Sequence, residues 1–407
     1  MNMSDVLLAF ESVEIRRGMS VVVSDFSLTI SQGEVVVLHG ENGCGKSTII
    51  EAAARILPIE KGQVLHHQKV VIDSEGRRNA PTVPFGLTLQ QNGMVGSDTI
   101  AEHLNNMMSI CKIKTNIAPI LKQYSLDHRS NDLIAHLSGG QQRKVAVITG
   151  LLPAMTSKSA RLVFLDEPDA GLDDDAIQTL CQHITSLRLA GHSFLIATHD
   201  ERILKCATRI NDLNQDTEQK PPLGEVWQMP EIEDAKSNNF IQVGFTYNSK
   251  TKAGFANNGI AGFLTLGILL SLVEPFELDK LPSLKMGFVL LPAFIAGLCG
   301  DPVVNLLREN RALDWWQANT TTPRAVIMPI VGGAILTIIS SYIFLEHLEA
   351  IVVVAGSLST LFCSLIIGFL QLATNKLSRP QAVFIRLLTP ILILPWSIVV
   401  NELTAYI

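Results

Sequence analysis

Gly40-Glu41-Asn42-Gly43-Cys44-Gly45-Lys46-Ser47 follows the apolar run Val35-Val36-Val37-Leu38 and precedes Thr48-Ile49-Ile50-Glu51-Ala52-Ala53-Ala54. The apolar run reads as a buried strand and the later stretch as the start of a helix. A glycine-rich turn between the two lets successive backbone N–H groups face the β- and γ-phosphates of a nucleotide. Lys46 adds a point charge, and the Ser47 hydroxyl suits Mg²⁺. Strand, turn and helix start thus supply the context that a phosphate-binding loop requires.

Two more elements stand downstream. Leu137-Ser138-Gly139-Gly140-Gln141 comes about ninety residues after the loop, and Leu162-Val163-Phe164-Leu165-Asp166-Glu167-Pro168 about thirty residues later still. The second is an apolar strand delivering two adjacent acids. Asp166 suits Mg²⁺, directly or through water, and Glu167 suits the orientation and deprotonation of an attacking water. Phe194-Leu195-Ile196-Ala197 is a further strand, and His199 lies just past its end. Polar residues at strand carboxyl ends occupy the place where parallel sheets bind ligands. Residues 1–215 alternate strand-like and helix-like runs, which predicts an α/β domain with a substantial parallel component.

The ordered set resembles the ABC transporter ATPases over roughly residues 5–210. Gly40 to Ser47 matches their Walker A loop, Leu137 to Gln141 the LSGGQ signature and Leu165 to Pro168 Walker B. Gly171-Leu172-Asp173 matches the D-loop, His199 the switch histidine and Gln90 the Q-loop residue, with Gln91 beside it as an alternative. The resemblance implies ATP and Mg²⁺ as cofactors. Gly40, Glu41, Asn42, Gly43, Cys44, Gly45, Lys46, Ser47 and Thr48 would hold ATP, and Ser138, Gly139, Gly140 and Gln141 of a second domain would close over it. Ser47, Gln90 and Asp166 would serve the metal, while Glu167, His199 and Gln90 would serve catalysis. It also implies a homodimer or a second ABC half as partner. The signature precedes a helix, whose N–H groups and dipole would meet the γ-phosphate.

Two departures stand out. The first hairpin offers Arg16 and Arg17 where the family places an aromatic residue on adenine, so Arg17 is the candidate to stack on the base. Cys44 sits inside the phosphate loop, either as a small tolerated side chain or as a thiol activated by the positive field.

The second half changes class. Charged residues make up 17% of the 407 and are sparse after about residue 250. Residues 216–252 read as a polar connector, within which Phe240 to Tyr247 alternates as a short strand or an interfacial segment. Beyond it, Ala253–Val273, Met286–Gly300, Ala325–Leu345, Ile351–Thr374 and Val383–Val400 are apolar stretches. About 20 apolar residues span a bilayer, so residues 253–407 are expected to form an all-α multi-span membrane domain with about five helices. A lipid bilayer is then a partner. Basic residues cluster at Lys250, Lys252, Arg308, Arg311, Arg324, Lys376 and Arg379, whereas Glu274, Glu277, Asp279, Glu346 and Glu349 fall in the alternate loops, against which Lys280 and Lys285 dissent. The positive-inside rule then makes the ATPase half cytoplasmic, in a multi-pass protein of the cell membrane.

A formal net charge of −6 gives no nucleic-acid footprint. Six cysteines show no CxxC pair and read as reduced thiols. The acids Asp5, Glu11 and Glu14 exclude a secretory signal in the first seventeen residues.

An ATPase followed by a membrane domain resembles exporter half-transporters whose membrane part is of the type-2 class. The stretch Asn305 to Trp316, followed by Thr320-Thr321-Thr322-Pro323, resembles the cytoplasmic loop of that class. It reads either as a coupling element resting near Gln90 or as an interfacial loop anchored by Trp315 and Trp316 in the headgroup region. Few insertions between Gln90 and Leu137 also resemble the haem-exporter ATPase of cytochrome c maturation. Export of a substrate is the expected function, and an ATP-driven mechanical device acting on an envelope partner is the alternative.

Overall fold

The computed structural model describes residues 5–212, 216–235, 247, 249–273, 282–320, 323–374 and 389–406. They fall into two compact units. The first comprises Met1–Asn238 and Leu307–Thr322, the second Asn239–Leu306 and Pro323–Ile407.

In the first unit the strands are β1 (Val6–Arg17), β2 (Ser20–Ser31), β3 (Val35–Leu38), β4 (Lys61–His66), β5 (Lys69–Asp73), β6 (Gly86–Thr88), β7 (Ile113–Thr115), β8 (Leu162–Asp166), β9 (Ser193–Ala197), β10 (Arg209–Asn211), β11 (Asp216–Glu218) and β12 (Ile232–Asp234). Its helices are α1 (Lys46–Ala53), α2 (Ile100–Cys111), α3 (Ala118–Gln123), α4 (Gly139–Met155), α5 (Asp174–Leu189) and α6 (Glu201–Leu204). The central sheet has the order β11-β10-β3-β9-β8-β6. All its neighbours pair in parallel except β10 with β11. Every residue of β3, β8 and β9 is buried, as a sheet covered on both faces requires. A second, antiparallel sheet runs β2-β1-β4-β5. This is the expected α/β architecture.

Two glycines let α4 lie directly on the sheet. A Cβ on Gly86 of β6 would come within 1.8 Å of the Gly150 carbonyl oxygen, and one on Gly150 within 2.2 Å of Thr88 Oγ1. Only bare backbone at both positions permits that approach. The N-terminus of α4 is fixed by a capping box. Ser138 Oγ accepts from Gln141 N at 3.3 Å, and Ser138 N donates to Gln141 Oε1 at 3.0 Å.

Part of the stretch expected as a connector is built into this unit. β12 pairs with β7, and Trp227 donates its indole N–H to the Met155 carbonyl at 2.9 Å. The alternating segment Phe240 to Thr246 lies outside the described residues.

Three buried imidazoles are held neutral. Tyr124 Oη lies 3.0 Å from His183 Nδ1, and Gln123 Oε1 lies 2.8 Å from His183 Nε2. Burial pushes His183 down to about 4, His192 to about 4 and His66 to about 3. An ordinary imidazole, as in the unfolded chain, titrates near 6.5. The stability these groups confer is therefore complete above about pH 6.5 and is lost as pH falls toward 4, by up to roughly 3 kcal/mol for each. Asp166, pushed up to about 6 by burial, works in the opposite direction but is one group against three. The melting temperature should drop between pH 7.5 and pH 5, and His183→Gln, which can keep both hydrogen bonds, should flatten the drop. A flat wild-type profile would refute this account.

In the second unit, four helices among the described residues are long and apolar enough to cross a membrane: Lys252–Leu272, Leu284–Leu307, Ile327–Phe344 and Ala350–Leu372. The helix Pro282–Leu298 packs against Lys252–Val273, Ile327–Phe344 and Ala350–Thr374. The fifth expected stretch begins with residues 383–388, including Arg386, outside the described residues. Its described part, residues 389–400, comprises the short 3-10 turn Thr389–Leu392 and the start of the apolar helix Ile393–Tyr406. Of the loop charges, Glu274, Glu277, Asp279, Lys376 and Arg379 also lie outside the described residues.

Apolar side chains, Val289, Leu290, Phe294 and Leu336 among them, fill much of this unit's interior beside a few buried hydroxyls, and apolar side chains also cover its outside. Thr337, Ser340 and Ser341 are wholly buried, while Phe263, Phe362 and Phe369 are exposed. Apolar surface of this extent suits lipid rather than water.

Candidate active site

The carboxyl ends of four parallel strands carry the site. β3 leads through His39 into the phosphate loop, β8 ends at Asp166, β9 leads to His199 and β6 leads to Gln90. The phosphate loop depends on Gly40, Gly43 and Gly45, whose φ values are +135°, +85° and +113°. At Gly45 a Cβ would in addition lie 2.9 Å from Val23 Cγ2. Glycine is required there on both counts.

The loop is organised from within. Lys46 Nζ donates to the carbonyls of Gly40 at 2.6 Å and Glu41 at 3.0 Å, and lies 3.9 Å from Cys44 Sγ. Ser47 Oγ donates to Asp166 Oδ1 at 2.9 Å. The other carboxylate oxygen, Asp166 Oδ2, is buried and has no hydrogen-bond partner among the described residues. Burial first, then the nearby carboxylates of Glu51 and Glu167, push the Asp166 carboxyl up to about 6. A buried, unpartnered carboxylate oxygen beside a serine hydroxyl is a pair of hard oxygen donors that suits a divalent cation, whose charge would restore Asp166 to its ionised form. The residues fit Mg²⁺.

Glu167 has φ +47°, a left-handed conformation uncommon for a residue with a Cβ. Its N–H donates to Ala197 O at 2.8 Å, and its side-chain Oε2 accepts from Gln90 Nε2 at 3.0 Å. Gln91 instead engages through its backbone, with its carbonyl accepting from Gly93 N at 2.6 Å. His199 is exposed at the end of β9, its ring centroid 5.9 Å from that of His39. Thr198 beside it donates to Asp169 Oδ1 at 2.5 Å and accepts from Asp200 N at 3.0 Å.

The structure thus gathers Lys46, Ser47, Gln90, Asp166 and Glu167. It does not bring the signature to them. No hydrogen bond among the described residues joins Ser138–Gln141 to the phosphate loop, and Ser138 and Gly139 are exposed. Gly140 is confined differently, since a Cβ there would lie 2.6 Å from Gly171 O. Behind it, Lys144 pairs with Asp173 at 2.6 Å, and Asp173 caps α5 through Ala176 N at 2.9 Å.

Arg143 escaped the sequence reading. Its buried guanidinium donates to Leu89 O at 2.6 Å, Asn92 Oδ1 at 2.9 Å and the carbonyls of Asp166 and Glu167. One side chain therefore ties the Gln90 loop to the paired acids. Arg17 also differs from expectation: its guanidinium is committed to Thr48 Oγ1 at 2.9 Å and Glu51 at 2.7 Å on α1.

The segment Leu307–Thr320 packs within this same unit. Gly93 N donates to Asn310 O at 2.9 Å, and Arg55 donates to the carbonyls of Gln317 at 3.0 Å and Ala318 at 2.9 Å. The Trp315 ring lies 5.2 Å from His103, and a Cβ on Gly93 would lie 3.0 Å from Trp315 Cβ. Trp315 and Trp316 are 1% and 3% exposed. Their burial in protein overturns the alternative that they anchor in lipid headgroups.

An ABC transporter family profile matches residues 23–170. An ABC transporter ATP-binding protein of Halobacterium salinarum is 31% identical over 202 residues, covering 48% of this chain and 84% of that protein. The chain belongs to the ABC transporter ATP-binding family. The glutamine transport ATP-binding protein GlnQ of Geobacillus stearothermophilus is 29% identical, over 56% of this chain and 96% of its own length. The lipopolysaccharide export ATP-binding protein LptB of Haemophilus influenzae is 29% identical over 44% and 75% respectively. A solved dimeric bacterial ABC transporter cassette aligns with a TM-score of 0.45 at 20% identity, over 53% of this chain and all of its own. By the family profile and the sequence relatives, the first unit of this ABC protein is an ATPase cassette.

Proposed function

We propose that this chain is one half of an ATP-driven exporter that works as a homodimer in the cell membrane, with its ATPase unit in the cytoplasm. The observation that carries the proposal is the segment Leu307–Thr320. It lies in the chain between two membrane-capable helices, yet folds into the ATPase unit against the loop that follows Gln90. Such a segment is joined through the chain to both helices and belongs to the ATPase unit. The relatives carry both export and import names, so the direction rests on the order of ATPase first and apolar helices second.

In the catalytic cycle, Lys46 and the loop amides bind the β- and γ-phosphates, and Ser47, Asp166 and Gln90 would hold Mg²⁺. When bound, such an ion would supply charge neutralisation at the phosphates. Glu167 orients the attacking water and takes its proton, with Gln90 rather than Gln91 positioning the carboxylate. His199 contacts the γ-phosphate. Ser138, Gly139 and Gly140 of a second copy close the site, since within one copy no hydrogen bond among the described residues joins them to the phosphate loop. Closure on two ATPs and reopening after hydrolysis would drive the membrane helices. The compact stretch between Gln90 and Leu137 favours a haem-exporter-like cargo as the first candidate.

The test is ATP turnover by the full chain in liposomes against a compound panel that includes haem. At least a twofold acceleration by a cargo is expected. Acceleration only by an envelope protein would favour the mechanical device, and a chain that neither dimerises with nucleotide nor enters lipid would sink both.

A further inference from the structure

Nucleotide occupancy is expected to reach the docking segment through the Gln90 loop, by way of Gly93 and Asn310. A second connection leaves the phosphate loop itself. Glu51 lies on α1, the helix that begins at Lys46, and is 3% exposed. Its two carboxylate oxygens serve different partners. Oε1 accepts from Arg311 at 2.5 Å, and Oε2 accepts from Arg17 at 2.7 Å. Arg17 also holds Thr48, the neighbour of Ser47, at 2.9 Å, and Arg311 pairs with Asp314 at 2.7 Å. The result is a continuous charge-assisted chain from the phosphate loop to the docking helix Ala312–Asn319.

The two connections end on adjacent residues. Gly93 holds Asn310, Glu51 holds Arg311, and both residues have left-handed backbone, with φ +45° and +61°. Consecutive left-handed residues bearing side chains are unfavourable unless their surroundings impose them. Here two nucleotide-facing elements do so together.

Resting on the exporter reading, we propose that Glu51 and Arg311 are positioning residues that carry the state of the phosphate loop into the Asn310–Arg311 turn, a second route parallel to that through Gln90. Motion of α1 on nucleotide binding displaces Glu51, and Arg311 follows because its guanidinium is bonded to that carboxylate.

The test is hydrogen exchange of amides 307–320 in the full chain in lipid nanodiscs, in a Glu167→Gln background with and without Mg·ATP. The background should show a nucleotide-dependent change of about fivefold or more. Arg311→Gln and Glu51→Gln should each cut that change at least threefold, the double variant should do no more than either alone, and Arg311→Lys should retain most of it. A purely structural role would instead raise exchange equally in both nucleotide states. An unchanged nucleotide response in Arg311→Gln, or additive effects, would overturn the inference. A background with no response at all would count against the exporter reading itself. Arg311→Lys and Glu51→Gln keep the comparison available should Arg311→Gln not fold.

Discussion

Glu167→Gln is expected to lower ATP turnover on the order of a hundredfold to a thousandfold while leaving ATP bound, and to convert the protein to a stable nucleotide-dependent dimer. The substitution removes a base and a negative charge but keeps size and shape. General-base catalysis commonly contributes about 10²–10⁴ in rate. Gln90 Nε2 would still find an oxygen acceptor at the 3.0 Å it now spans. The left-handed backbone at position 167 is held from outside the side chain, by Ala197 O and by Arg143, so the fold should survive with a melting temperature close to wild type. Neutralising one acid also relieves repulsion of the γ-phosphate, which favours the closed state. Turnover by phosphate release and mass by light scattering with and without Mg·ATP measure the two effects. Hydrolysis at the parental rate would show that another group activates the water.

Much of this site was legible because its parts demand particular residue types at particular places in the chain. A glycine-rich turn between an apolar strand and a helix has few other meanings, and paired acids at the end of a second buried strand narrow them further. What was not legible depends on partners remote in sequence. Arg143 looks like one more charged residue on a helix, and nothing local reveals that its guanidinium spans Leu89, Asn92, Asp166 and Glu167. Arg17 looked free to stack on a base because Glu51, 34 positions away, could not be seen to claim it. Trp315 and Trp316 show the limit of hydropathy. An apolar aromatic prefers to leave water, but that preference does not distinguish lipid from a protein groove, and Gly93 with its missing side chain makes the groove. The second unit was legible in kind, since runs of about 20 apolar residues predict membrane-capable helices and four are found among the described residues. That Thr337, Ser340 and Ser341 lie inside and Phe362 and Phe369 outside emerged only from the packing.

Arg143→Ala should combine the largest loss of stability with a displaced pH profile. The guanidinium is 3% exposed and stays charged at neutral pH, although burial pushes it down to about 10. Its removal leaves the carbonyls of Leu89, Asp166 and Glu167 without this donor in a space too enclosed for ready hydration. Breaking such a buried, multiply bonded charge costs roughly 3–5 kcal/mol. In a unit of this size that corresponds to a fall in melting temperature on the order of 10 °C. The functional consequence is separate. The positive charge of Arg143 is among the influences that lower the Asp166 carboxyl from where burial would put it. Without it Asp166 keeps its proton to higher pH, so the acid limb of the turnover profile should shift toward alkaline pH. Arg143→Lys, which keeps the charge but not the fork of donors, should lose stability with a smaller displacement of that limb. A variant that melts early yet keeps the parental pH profile would reduce Arg143 to a structural brace. A profile displaced without loss of stability would mean that the four carbonyl and amide oxygens it serves find other donors.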